Sequence, residues 1–129
     1  MPDKDPYLTF RSSEGFEILV GRTAADNDLL TFKVATQNDF WLHVAATPGS
    51  HVVIRNPDNL PRPPRATLAE AAALAAWFSK SRGGGRVIVD WTVRRHVHKQ
   101  RGAPTGQVTL DQYQTLKATP SPPPGPPEG

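Results

Sequence analysis

One alanine-rich segment constrains the fold of this chain more than any other feature. The residues TLAEAAALAAWFSKSRG have the spacing of an amphipathic helix. One face of this helix carries Leu68, Ala71, Leu74, Ala75 and Phe78. Its alanines predict close packing against a sheet. We predict that Thr67 and Glu70 begin the helix as a capping box and that Gly83 ends it as a left-handed C-cap.

Short strand candidates surround this helix on both sides. They read FEILV, DFWLHV, HVVIR, RVIVDWTV, GQVTL and QYQTLKA. The turn TPGS between the second and third predicts an antiparallel hairpin. Residues 23–35 have the spacing of a second helix, which Thr23 can cap. This mixture predicts an α+β fold, a single small domain with a mixed, largely antiparallel sheet and two helices packed on it.

Composition predicts where the folded domain ends. A chain of 129 residues has the length of one domain. Six of the last eleven residues are proline, so residues 119–129 cannot form regular helix or sheet hydrogen bonds. We expect a folded domain over residues 1–118 and a disordered tail that is either simply solvated or a docking peptide. Removing the tail should leave the melting temperature unchanged.

Several classes of function are disfavoured by what the sequence lacks. There is no cysteine, which excludes disulfides and thiolate metal sites. The sequence shows no signal peptide and no apolar run of membrane-spanning length, so a cytoplasmic protein without membrane contact is expected. The four histidines lack metalloprotease spacing. Ser50 and His51 are neighbours on a strand and point apart, so they form no catalytic pair. We expect no cofactor, no bound metal and no enzymatic activity.

The charge of the chain is concentrated in one segment. Residues 80–101 contain seven Lys or Arg residues and one acid, giving +6, whereas the whole chain carries only +3. The bases are Lys80, Arg82, Arg86, Arg94, Arg95, Lys99 and Arg101. His96 and His98 lie among them, and strand alternation would place both on one face. Such a cluster is typical of a phosphate-binding stripe, although a solvated basic loop has the same composition.

Aromatic and strand-end residues leave two questions open. Trp41, Trp91 and Tyr113 lie on or beside predicted strands, where they either stack on bases or belong to the core. Trp77 is assigned to the core. The stretch TPGSHVVIRN places His51 and Arg55 at the two ends of a short apolar strand. In one interpretation, these two residues lie at the edge of an RNA-facing surface. In the other, the imidazole of His51 has a structural role and is held by hydrogen bonds.

The arrangement of several short motifs resembles the NFACT-R domain family over about residues 7–118. The matching pieces are Ser13-Glu14-Gly15, Val20-Gly21-Arg22, Asn27-Asp28, Asp39-x-Trp41-x-His43 and Pro48-Gly49-Ser50-His51-Val52-Val53-Ile54. The alanine-rich helix, the V-D-W-T strand and the basic turn ending in Gly102-Ala103 also match. Thr23 and Gln100 depart from the family pattern, which often has Asn and Pro at these positions.

The resemblance implies a non-catalytic RNA-binding module. Family members are usually the C-terminal part of ribosome quality control proteins, so tRNA or ribosomal RNA on the ribosome, on its large subunit, is the expected partner of a monomeric domain. The family's other modules are missing from the sequence, so tailing of stalled chains is not carried over. The alternatives are an adaptor for a quality-control factor and a metal-assisted RNA-processing enzyme. The expected RNA-binding residues are Arg22, Trp41, His43, His51, Arg55, Lys80, Arg82, Arg86, Arg94, Arg95, His96, His98, Lys99 and Arg101.

Overall fold

The computed structural model describes residues 5–123, so the predicted tail lies partly outside the described residues. The strands are β1 (Tyr7–Arg11), β2 (Glu17–Gly21), β3 (Phe40–Val44), β4 (Val52–Ile54), β5 (Val87–Val93), β6 (Val97–His98), β7 (Thr109–Leu110) and β8 (Gln114–Ala118). The helices are α1 (Ala24–Leu29), a π-helical turn that continues it (Leu30–Val34), α2 (Arg65–Trp77) and a 3-10 turn (Arg94–His96).

Six strands form a single sheet in the order β1-β2-β4-β3-β5-β8. Every neighbouring pair in it is antiparallel, including the predicted β3–β4 hairpin. Strands β6 and β7 form a separate antiparallel pair. The predicted α+β class, a single small domain with helices packed on an antiparallel sheet, is confirmed. Strand β1 was not predicted, because its sequence YLTFR follows a charged, proline-containing start and lacks a long apolar run.

The sheet is covered on both faces because its central strands are apolar at successive positions. In β2, Ile18 and Val20 face α2, whereas Leu19 faces the opposite side. On that opposite side, Leu30 and Val97 complete a second core cluster. The result is three layers, with α2 on one face and α1, its π-helical turn and the β6–β7 pair on the other. Because both faces of these strands are buried, their sequences are nearly continuously apolar and do not alternate between apolar and polar residues.

Helix α2 begins two residues earlier than predicted, and its cap comes from another element. The helix starts at Arg65, and no side chain of the preceding residue caps it. Instead, the Glu14 carboxylate accepts hydrogen bonds from the backbone N–H of Thr67 at 2.7 Å and from its hydroxyl at 2.6 Å. Glu70 accepts a bond from the backbone N–H of Ser13 at 2.8 Å. The predicted Thr67–Glu70 capping box is therefore wrong, because the turn between β1 and β2 supplies the cap.

Helix α2 also ends earlier than predicted, at Trp77 rather than near Gly83. The Phe78 carbonyl accepts a hydrogen bond from Ser50 N–H at 3.2 Å, and Lys80 N–H donates to the Pro48 carbonyl at 3.2 Å. The chain thus leaves the helix to pair with residues 48–50. Trp77, which we assigned to the core, is only half-buried, and the Arg82 guanidinium lies 4.4 Å above its ring.

The basic segment after β5 departs from the continuous strand that the sequence suggested. Arg94–His96 form a single 3-10 turn before β6 begins. Val97 is then buried in the second core cluster, and His98 is exposed. The partners of this segment lie in α1 and β7, which are distant in sequence. The local sequence therefore gave no sign of the 3-10 turn.

Candidate nucleic-acid interface

A cleft of about 900 Å³ lies where the ends of several elements meet beside α1. Its lining comes from the β2–α1 turn, strand β3, residues 46–51, the residues just after α2, Asp90 of β5, residues 105–108 and Leu110 of β7. Its lining includes the side chains of Arg22, Trp41, His43, His51, Lys80 and Asp90. Most of the family motifs found in the sequence therefore border one space.

The Pro48-Gly49-Ser50-His51 motif is held in place by close backbone contacts. Asn27 accepts a hydrogen bond from His51 N–H at 3.0 Å and donates one to the Gly49 carbonyl at 3.3 Å. The Ser50 hydroxyl donates to the Gly21 carbonyl at 2.6 Å. A Cβ on Gly21 would lie 2.0 Å from Asn27 Oδ1, so any larger side chain there would displace Asn27. The motif therefore serves to join β2, α1 and the end of α2.

His51 is a buried ring with both nitrogens occupied. Nε2 lies 3.1 Å from the Gly106 carbonyl, which can only accept, so Nε2 carries the hydrogen. Nδ1 lies 2.8 Å from the Thr31 hydroxyl, which must then donate. Thr31 in turn accepts from Trp41 Nε1 at 3.0 Å. Burial, with a smaller effect from His43, lowers the pKa of His51 to about 4. The structural interpretation of His51 therefore accounts for all its polar atoms.

Trp41 cannot act as a stacking platform as we had considered, because its side chain is 1% exposed. Its ring lies nearly parallel to His43, with centroids 6.0 Å apart. His43 is half-buried, and burial lowers its pKa. Opposite it in the strand register is Asp90, whose pKa burial raises. His43 is therefore the neutral ring that faces the cleft.

Two bases carry the positive charge at the cleft. Arg22 follows β2 and Lys80 follows α2, and both are exposed. Within residues 5–123, neither side chain makes an ion pair or a hydrogen bond. Their charges are therefore available to a ligand.

The structure divides the predicted basic stripe, because some of its members have internal partners. Arg94 Nε donates to the Thr31 carbonyl, and its guanidinium lies 4.6 Å above the Phe32 ring. Burial lowers the pKa of Arg94. Lys99 Nζ lies 3.0 Å from Asp28 Oδ2 and donates to two backbone carbonyls. Arg94 and Lys99 therefore hold the fold together, and their charges do not form a free stripe.

Other predicted residues are also engaged elsewhere. Arg55 Nε lies 3.1 Å from the buried carboxylate of Asp39. His96 and His98 both lie 2.8 Å from Asp111, which the sequence did not indicate as their partner. These hydrogen bonds lower the pKa of Asp111. Arg82 covers Trp77, and Arg95 bonds to Asn38. Arg86 and Arg101 are exposed.

Within residues 5–123, no group of three or more His, Asp or Glu side chains is placed to hold a metal ion. No helix in this range is long and apolar enough to cross a membrane.

The chain is thus a small α+β domain with a cleft. Arg22 and Lys80 border this cleft, and hydrogen bonds to the backbone hold its motifs in place. Residues 6–112 match the family described as the NFACT protein RNA binding domain. This match covers well over half of the chain, and the chain belongs to that family. The resemblance that we inferred from the motifs is confirmed.

Similar proteins include ribosome quality control factors. The chain is 46% identical over 117 residues to the Rqc2 homolog RqcH of Bacillus subtilis, covering 90% of this chain and 20% of that protein. It is 32% identical over 103 residues to the human ribosome quality control complex subunit NEMF, covering 80% of this chain and 9% of that protein. The chain thus spans a fifth or less of these relatives.

A solved structure has the same fold. It is the C-terminal part of the fibronectin/fibrinogen-binding protein from Streptococcus suis, with a TM-score of 0.84 and 39% sequence identity. The match covers 92% of this chain and 47% of that one.

Proposed function

We propose that this domain is a non-catalytic RNA-binding module that acts on the ribosome. Its RNA is tRNA or ribosomal RNA, contacted at the large subunit. The supporting observation is the cleft, where several family motifs meet and where the side chains of Arg22 and Lys80 have no partner within residues 5–123. Guanidinium and ammonium groups in such positions neutralise backbone phosphates. Family membership and the ribosome quality control relatives support the same assignment.

The chemistry of the cleft favours binding over catalysis. The hydroxyl groups of Ser50 and Thr31 are both committed to internal hydrogen bonds. His43 is a neutral ring with no hydroxyl nucleophile bonded to it among the described residues. We expect the purified protein to leave RNA, nucleotides and esters intact. A defined turnover that disappears in His43→Ala would contradict the proposal.

Co-sedimentation with ribosomes tests the proposed partner. Purified protein is mixed with large subunits, with and without tRNA, at rising potassium chloride and with duplex DNA as competitor. We expect association that weakens with salt, because phosphate contacts release counterions. RNA should compete better than DNA, since the geometry and 2′-hydroxyls of RNA differ from those of DNA. No association at low salt would instead favour an adaptor that binds a quality-control factor.

A further inference from the structure

A second concave site lies beside the C-terminal end of strand β5 and is separate from the cleft. Its volume is about 530 Å³, within the range of sites that hold small ligands. Asp90 borders the cleft, but the next residue along β5, Trp91, lines this second site. The Trp91 side chain points away from the face that carries Asp90, and no residue lines both sites, so the two sites are separate.

The walls of this site are two aromatic rings held in fixed positions. Trp91 is half-buried and packs edge-on against the core ring of Phe40, with centroids 6.4 Å apart. Tyr113 is 55% exposed. The buried Thr92 hydroxyl donates to the Gln112 carbonyl at 2.7 Å and fixes the segment that carries Tyr113. Strand β5 therefore positions the Trp91 ring, and the segment bonded to Thr92 positions the Tyr113 ring.

Two guanidinium groups lie beside these rings. The guanidinium groups of Arg62 and Arg95 line the site, and Arg95 also donates a hydrogen bond to Asn38. His96 lines it too, with Nδ1 2.8 Å from the Asp111 carboxylate. No Asp or Glu belongs to its lining within residues 5–123. Arg62 makes no ion pair or side-chain hydrogen bond with the described residues, and its side chain is exposed. The site therefore combines aromatic surface with guanidinium groups, which is the chemistry that binds unpaired bases and their phosphates.

We propose that the Trp91–Tyr113 site binds one or two unpaired nucleotides of RNA. The bases stack on Trp91 and Tyr113, while Arg62 and Arg95 contact the adjacent phosphates. A base inside a duplex cannot reach these rings because it is already stacked and paired. The site thus adds a preference for single-stranded segments to the RNA binding proposed above, on which it rests.

The test compares Tyr113→Ala and Arg62→Ala with Lys117→Ala. Lys117 is an exposed base on β8 outside the site, so its removal controls for charge loss. Affinities are measured for a single-stranded RNA oligonucleotide and for an RNA duplex. We expect Tyr113→Ala to weaken single-strand binding about tenfold and to leave duplex binding unchanged, since stacking is lost. Arg62→Ala should weaken single-strand binding severalfold, and Lys117→Ala should change neither affinity.

Tryptophan fluorescence gives a direct readout of the same contact. Trp41 is buried, so in a Trp77→Phe variant the exposed part of the emission comes from Trp91. Single-stranded RNA should quench this emission, whereas duplex RNA should not.

Other outcomes would overturn the inference in distinguishable ways. Equal binding of single strands by wild type and Tyr113→Ala, without quenching, would overturn this site and leave the cleft proposal standing. Failure of the wild type to bind any RNA would overturn both. Quenching by a peptide of residues 119–129, but not by RNA, would assign the site to a proline-rich protein partner instead.

Discussion

His51 is the residue whose chemistry the fold changes most. An exposed imidazole has a pKa near 6.5, whereas burial lowers that of His51 to about 4. Both ring nitrogens are bound in the neutral form, and protonation would break the bond donated by Thr31. The sequence marked this position through its motif. It could not decide the role, because Thr31 and Gly106 are far away in the chain.

The first prediction concerns stability against pH. The unfolded ring takes up a proton near pH 6.5, but the folded ring does so only near pH 4, so stability is lost as the pH falls through this interval. The loss from His51 alone is about 3 kcal/mol once the pH is below 4. His51→Gln should be less stable at pH 7 and should show a smaller loss between pH 6.5 and 4, measured by urea unfolding. An equal loss in both proteins would contradict this account.

The second prediction concerns the close approach at Gly21. Its missing side chain leaves room for Asn27, so Gly21→Ala should lower the free energy of unfolding by about 2 kcal/mol. Gly83→Ala is the matched control, because nothing lies within 4 Å of the added Cβ. Thermal melting of both variants checks the difference. Similar melting temperatures would mean that Asn27 moves aside without cost.

At the scale of elements, the sequence predicted the existence of α2 well and its ends poorly. The spacing of the alanine-rich face correctly predicted the helix and its packing on the sheet, because both depend on local sequence. The ends depend on distant partners, Glu14 at the start and Ser50 near the end. No local pattern reports such contacts. The same reason explains why the capping box and the Gly83 cap were predicted wrongly.

The third prediction concerns the cap of α2. Glu14→Ala removes the acceptor of the Thr67 backbone N–H and should cost about 1 kcal/mol of stability. Glu17→Ala is the control, because it removes the same charge from a nearby exposed position on β2 without touching α2. Chemical unfolding should show a clear loss for Glu14→Ala and a smaller one for Glu17→Ala. The reverse order would show that the turn does not cap the helix.

The fourth prediction separates structural from free bases in the segment after β5. Lys99 joins residues 99–107 to Asp28, so Lys99→Met should lower stability by about 1 kcal/mol. Arg101→Met loses the same charge from an exposed position and should leave the melting temperature almost unchanged. Equal effects would contradict the division of the cluster. Replacing Arg94 or Lys99 therefore tests folding as well as binding.

At the scale of the whole molecule, the cleft exists only because separate elements meet. Its members come from residues 22 to 110, and the fold brings them together around the Pro48–His51 motif. The sequence predicted many of these residues through the family motifs. It placed the RNA-binding charge in residues 80–101, where the structure leaves only part of it free. The sequence predicted Arg22 and Lys80 separately, and only the tertiary structure shows that both line the same cleft.

The central claim is that the bases at the cleft bind RNA phosphates. The most direct measurement is the slope of log affinity against log potassium chloride concentration for a structured RNA. The double variant Arg22→Ala/Lys80→Ala is compared with Lys33→Ala/Lys117→Ala, which removes two exposed bases outside the cleft. The cleft variant should bind more weakly, with a slope flatter by about two, because each phosphate contact contributes about one. The control variant should match wild type. A folded cleft variant with the wild-type slope and affinity would contradict the claim.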